Sequence, residues 1–128
     1  LIHGIGTDIL QIKRIADMSK KMGWALAHQV LGHRELQVYA EMVDDKLLAV
    51  NYLARRFAAK EAFVKASRIP QLDVRQVEVL NHDDGAPYLA LSGKATIQMG
   101  SLEWVHHVTI SDSDDYVTAT VICERKAT

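Results

Sequence analysis

Cysteine is nearly missing from this chain, with Cys123 its single thiol. That excludes an intrachain disulfide framework and agrees with a reducing compartment. Cys123 lies in an alternating apolar run, which reads it as a small core residue. No apolar stretch approaches the roughly 20 residues of a membrane span, and no signal peptide is visible. Together these absences predict a cytoplasmic protein with no membrane partner. Net charge is small as well, formally −1, so nothing global points to nucleic acid. Repeats, low-complexity segments and linkers are absent too, which predicts a single domain over residues 1–128. What remains is ordinary globular material, 48% hydrophobic and 24% charged. A chain of this size builds an adequate but modest core, compatible with a site shared between subunits. Charge is locally uneven. Lys13, Arg14, Lys20 and Lys21 are opposed only by Asp17, a basic patch able to steer an acidic partner.

The order of elements follows from periodicity. Ile2 to Leu10 reads as a strand interrupted at Gly4 and Gly6, with Asp8 facing away from Ile5 and Ile9. Aspartate is poor inside strands, so Asp8 either caps the following helix or has another task. Gly4-Ile5-Gly6 is half of a dinucleotide fingerprint without its third glycine, a chance match. Helical patterns follow over Lys13 to Ser19, Trp24 to Leu31 and His33 to Asp44, then a long central helix over Leu47 to Ala66. Val74 to Leu80 and Tyr88 to Ser92 read as a hairpin around Asn81 to Pro87. A short helix is expected over Lys94 to Met99, and strands over Val105 to Ser111 and Tyr116 to Glu124. The expected class is α+β, a mostly antiparallel sheet packed on the long central helix.

That helix carries the densest chemistry. Phe57, Glu61 and Lys65 are spaced to share one face, and Arg56, Lys60 and Val64 form the adjacent row. A carboxylate thus sits among lysines and arginines. Helix statistics alone favour an ordinary solvent-side ion pair between Glu61 and Lys65. His3, His28, His33, His82 and His106 show no ligand spacing and read as surface or cap residues.

Gly4-Ile5-Gly6-Thr7-Asp8-Ile9 together with Phe57-Ala58-Ala59-Lys60-Glu61-Ala62-Phe63-Val64-Lys65-Ala66 resembles the holo-[acyl-carrier-protein] synthases, the small 4′-phosphopantetheinyl transferases. Tyr52-Leu53-Ala54-Arg55-Arg56, Asp84-Gly85-Ala86-Pro87-Tyr88 and His107-Val108-Thr109-Ile110-Ser111 extend the likeness over essentially the whole chain. The resemblance implies transfer of phosphopantetheine from coenzyme A to a serine of an apo acyl carrier protein, in fatty acid biosynthesis, leaving adenosine 3′,5′-bisphosphate. It implies Mg²⁺ on Asp8 and Glu61, which would give Asp8 its task. Lys65 would contact the phosphates, and Lys60 beside it is a further coenzyme A candidate. Arg56 is a candidate for the 3′-phosphate, and the turn at Gly85 and Pro87 for the adenosine. His107 is a candidate general base or coenzyme A contact, or else a strand histidine at a subunit interface. A metal-bound water or Glu61 could serve as base instead. Arg14, Met18, Lys20 and Lys21 match the family's grip on the carrier protein. A homotrimer with sites between subunits is expected.

The chain departs from the pattern after Ala66. Where the family has a hydrophobic residue and Gly-Thr-Gly, Ser67-Arg68-Ile69-Pro70 stands, in a shorter segment. Either the loop is truly short, which bears on closure over coenzyme A, or glycine-loop residues are missing from the sequence as written. Ala86 replaces a usual lysine, Gln29 a common arginine, and Gly32 a common Ser or Thr cap. A module that binds carrier protein or nucleotide without turnover is the competing reading.

Overall fold

In the computed structural model, which describes residues 1–100 and 103–126, the central helix is the axis of the molecule. The elements are β1 (Ile2–Gln11), α1 (Ile12–Met22), α2 (Trp24–Val30), α3 (His33–Met42), α4 (Lys46–Ser67), a 3₁₀ turn (Val74–Gln76), β2 (Val77–Asn81), β3 (Pro87–Leu91), α5 (Gly93–Gln98), β4 (Trp104–Asp112) and β5 (Tyr116–Arg125). The expected α+β class holds. The strands divide into an antiparallel sheet of order β1-β5-β4 and a separate β2-β3 hairpin. No helix among the described residues is long and apolar enough to cross a membrane.

α4 starts where Asp45 accepts the backbone N–H of Leu48 at 3.1 Å, an ordinary N-cap. It is not amphipathic. Ala54, Ala58, Ala59, Ala62, Phe63 and Ala66 are all fully buried, so neighbours surround the helix on most sides. The alanines keep it thin enough to be surrounded. Cys123 is buried as expected, and burial pushes its thiol up to about 11.

Three local expectations change. β1 has no break at its glycines, apart from an irregularity between Ile2 and Gly4. A Cβ on Gly4 would lie 2.0 Å from the carbonyl oxygen of Ala66, and one on Gly6 2.0 Å from that of Ala62. The glycines therefore bring the strand onto the helix backbone rather than interrupting it. Val74 to Gln76 is a 3₁₀ turn rather than strand, because Asp73 accepts the N–H of Arg75 at 3.0 Å and caps it. Gly32 does more than replace a cap. A Cβ there would meet the Arg75 carbonyl oxygen at 2.5 Å and the Glu78 side chain at 2.6 Å.

Candidate active site

The crossing of β1 over α4 assembles the first cluster. Gly4 abuts Ala66, and Gly6 abuts Ala62, one turn back along the helix. Side chains two apart on a strand share a face, so Asp8 continues this line toward the turn that holds Glu61. Lys65 ties the same strand to the helix. Its ammonium donates to the Thr7 carbonyl at 2.9 Å and to Asp8 Oδ1 at 3.3 Å. Its side chain remains 54% exposed, while that of Asp8 is 17% exposed. Glu61 is half-buried, and no cation among the described residues lies within ion-pair distance of it.

This donor set can be tested against the implied metal. Among the described residues no group of three or more His, Cys, Asp or Glu side chains is placed to hold an ion. That argues against a closed structural site. It agrees with Mg²⁺, which takes one or two protein carboxylates and fills its shell with phosphate oxygens and water. Asp8 and Glu61 supply that number, and Glu61 has no competing cation. The residues fit the ion.

The coenzyme A candidates lie elsewhere. Arg56, Gly85 and Pro87 line a cleft of about 680 Å³, with Tyr52, Asn81 and Tyr88. Arg56 is 7% exposed. It donates to Asn81 Oδ1 at 2.8 Å, and its guanidinium sits 3.9 Å over the Tyr52 ring. Its buried Nε has no partner. Burial lowers the Arg56 pKa from its ordinary value. Asn81 in turn donates to the Gly85 carbonyl at 3.0 Å, tying the hairpin turn to the arginine. Asp8, Glu61 and Lys65 do not line this cleft.

Nor does one chain bring His107 to Asp8. Along β4 and β5, His107 pairs with Ile122, and Ile122 with Ile5. This row faces outward, with Ile5 62% exposed, whereas Asp8 turns to α4. His107 Nε2 lies 3.0 Å from Glu124 Oε1.

Lys60 is a correction. Expected among the coenzyme A contacts, it is 1% exposed. Its ammonium donates to the Val30 carbonyl at 2.7 Å, Glu35 Oε1 at 2.5 Å and the Val74 carbonyl at 3.0 Å. All three protons are used, so none is left for a ligand. Burial lowers its pKa, against the attraction of Glu35. Glu35 also accepts from the N–H of Gly32 and of Val79. Glu78 accepts from the N–H of Arg34 and Glu35 and from the Arg34 guanidinium at 2.9 Å. Burial alone would raise the Glu78 carboxyl, but the Arg34 hydrogen bond and these backbone donors outweigh it and hold it low. Sequence reasoning missed both glutamates. Glu35, placed three residues after Gly32, was the one available sign, since a glutamate there reaches back to the cap N–H.

The carrier-protein candidates divide between two flanks of α1. Arg14, Met18 and Lys21 line a shallow pocket of about 320 Å³ with Lys13 and Asp17. Lys20 turns to the other flank. Two histidines also differ from their surface reading. His106 packs edge-on to Phe63 at 5.3 Å and its buried Nδ1 is unpartnered. His3 bonds the Ser67 carbonyl at 3.0 Å and meets Trp104 edge-on.

Comparison with known proteins gives the family of the chain. The model of the 4′-phosphopantetheinyl transferase superfamily matches residues 4–121. A holo-[acyl-carrier-protein] synthase of Burkholderia lata is 38% identical, over 98% of this chain and 92% of that protein. The crystal structure of holo-[acyl-carrier-protein] synthase from Neisseria meningitidis superposes with a TM-score of 0.84 at 33% identity, covering 97% of this chain and 99% of the other. That of a Bacillus anthracis holo-(acyl-carrier-protein) synthase in complex with CoA (3′,5′-ADP) gives 0.78 at 29% identity, with 98% of each chain covered.

Proposed function

The chain belongs to the 4′-phosphopantetheinyl transferase superfamily, and we propose that it is a single-domain enzyme moving the phosphopantetheine arm of coenzyme A to a serine of an apo acyl carrier protein. Adenosine 3′,5′-bisphosphate leaves. The observation that carries this reading is the contact between Lys65 and Asp8, 3.3 Å apart, which joins β1 to the helix that also carries Glu61. The serine oxygen bonds to the nearer phosphorus of the pyrophosphate, and the bond from that phosphorus to the bridging oxygen breaks. Negative charge then grows on the departing phosphate. Lys65 stands within reach of that charge, and a half-exposed ammonium on a flexible stem can follow it. Asp8 and Glu61 would hold Mg²⁺, which when bound would supply positive charge to offset that of the phosphates. Arg56 would take the 3′-phosphate, the Gly85 to Pro87 turn the adenosine, and the basic surface of α1 the carrier protein. Glu61, with no cation partner among the described residues, is a candidate base for the serine proton, and His107 or a metal-bound water is the alternative.

The reading includes a homotrimer with sites between subunits. Two features support it. Ile5 and Ile9 on the outer face of the three-stranded sheet are 62% and 68% exposed. The Asp8–Lys65 contact, the arginine cleft and His107 also occupy separate places on one chain, so a neighbour's cleft and His107 would complete the site beside Asp8.

The test is the intact mass of an apo acyl carrier protein incubated with the enzyme, coenzyme A and Mg²⁺. The expected result is a gain of one phosphopantetheine, abolished by chelator and by Asp8→Ala or Glu61→Ala. No gain with several carrier proteins would point to a module that binds without turnover.

A further inference from the structure

The arginine cleft holds a second guanidinium to which the transfer reaction assigns nothing. Arg55 and Arg56 are consecutive on α4, and both line the cleft of about 680 Å³. They are held differently. Arg56 is 7% exposed, seated over the Tyr52 ring and bonded to Asn81. No carboxylate among the described residues lies within ion-pair distance of it. Arg55 instead reaches the end of β4, where its Nη1 donates to Asp112 Oδ2 at 3.0 Å. Both side chains of that pair are more than a third exposed, so water competes for it and it is weak. The Nε of Arg55 is buried without a partner, as is that of Arg56. Asp112 is the single carboxylate lining the cleft among the described residues. The cleft thus offers two guanidinium groups, one anion and N–H donors to spare.

We propose that Asp112 is a latch on Arg55 which the 3′-phosphate of coenzyme A opens, so that this pair sets the preference for coenzyme A over 3′-dephospho-coenzyme A. The inference rests on the placement of the 3′-phosphate at Arg56 proposed above. A phosphate monoester carries a charge of about −1.5 to −2 at neutral pH and three strong acceptor oxygens. The planar guanidinium fork takes two of those oxygens at once. Arg55 therefore gains by leaving a solvated carboxylate for a phosphate beside Arg56. A ligand without the phosphate leaves Arg55 on Asp112. The two members of the pair are unequal in consequence. Loss of Arg55 removes a phosphate ligand and also turns an unpaired Asp112 against the phosphate. Loss of Asp112 releases Arg55 and removes the repulsion. Arg55 and Asp112 are then specificity-determining residues, and Asp112 stands just past the likeness that ends at Ser111.

The experiment titrates the full chain with coenzyme A and with 3′-dephospho-coenzyme A in a calorimeter, with Mg²⁺ and without carrier protein, so that nothing turns over. Transfer from coenzyme A to an apo acyl carrier protein is followed separately by mass. The variants are Arg55→Met, Asp112→Asn, their combination, and Arg55→Lys, which keeps the charge without the fork. Arg55→Met should lower the preference for coenzyme A about tenfold. Asp112→Asn should raise it about threefold. The combination and Arg55→Lys should fall between Arg55→Met and the parent. Affinity for 3′-dephospho-coenzyme A should not change in any of them, which a merely structural ion pair would not predict. An unaltered preference in Arg55→Met would overturn the proposal, as would a parent that binds both ligands alike. So would a lowered preference in Asp112→Asn, which would make Asp112 a support for Arg55 rather than a latch. Equal weakening of both ligands would make the pair a tie of the fold and overturn it too. Shifts that follow the prediction without any transfer would keep the latch and sink the transferase reading. Transfer with an unshifted preference would do the reverse.

Discussion

Lys60 and Lys65 stand on the same helix, and the protein uses them in opposite ways. At about 100° per residue, five residues set them about 140° apart around α4. Lys60 therefore points at the junction of α2, α3 and the 3₁₀ turn, where it is 1% exposed and its protons are all taken. Lys65 points at β1, 54% exposed, against one carbonyl and one carboxylate. Both are lysine–carboxylate pairs. Burial separates a side chain that holds the molecule together from one able to leave its partner for a phosphate.

The largest effect is expected at the buried pair. Such a pair is poor evidence of net stability, but removing one member strands the other charge at a cost of about 3–5 kcal/mol. Lys60→Met should lower stability by that order in chemical denaturation. Lys60→Met with Glu35→Leu should recover part of the loss, because no lone charge remains. A single variant as stable as the parent would mean that water reaches Glu35 and that the pair is not the anchor described here.

Lys65→Met reverses the pattern. A half-exposed ion pair contributes little to folding, so the melting temperature should stay nearly unchanged. The transfer rate should fall about 10²–10³-fold, the usual cost of losing one charge-stabilising donor. Equal losses in kcat and kcat/KM would place the contact in the transition state. A rise in the KM for coenzyme A alone would instead make Lys65 a ground-state binder.

The contrast also explains what the sequence disclosed. The contact of Asp8 with Lys65 was legible because its strand half breaks a local rule. Aspartate is unsuited to a strand, and two glycines beside it need a reason, which close approach to α4 provides. Their resemblance to a family motif then joined the halves. Lys60 was misread because i, i+4 spacing defines a row but not which row faces inward. An aliphatic-rich helix with little amphipathic bias gives no further cue. Its partners Glu35 and Glu78 arrive from other elements, and only the folded chain brings them together. The boundary near Val74 was misread for a related reason, since the apolar pattern of a strand gave way to a side-chain cap at Asp73.

Acid should expose the buried network next. The folded Glu78 carboxyl is held below the ordinary value of 4.5. Its stabilisation is therefore present above the unfolded value and is lost as pH falls through the lower folded one. Below pH 4.5 the slope of stability against pH should be shallower in Glu78→Gln than in the parent. Glu78→Gln should also be less stable at neutral pH, since two backbone N–H groups and Arg34 lose a charged acceptor. A parent curve and a Glu78→Gln curve that stay parallel through acid would assign acid sensitivity elsewhere.

The smallest effect is expected just past Lys65, where α4 ends. Arg68 adopts a left-handed conformation, φ 58° and ψ 25°, while its N–H closes the helix on the Val64 carbonyl at 3.2 Å. Glycine is the usual residue at this position, because a Cβ costs about 1–2 kcal/mol in that region. Arg68→Gly removes this cost. It also frees the unfolded chain and gives up the guanidinium's exposed hydrogen bond to the His3 carbonyl. Those two losses are each smaller than the strain, so a net gain of about 0.5 kcal/mol is expected, seen as a slightly higher melting temperature. A lower one would show that Arg68 fastens β1 to the end of α4. The exposed end of the helix would then be anchored as Lys60 anchors its interior, and the division between the two lysines would be less sharp.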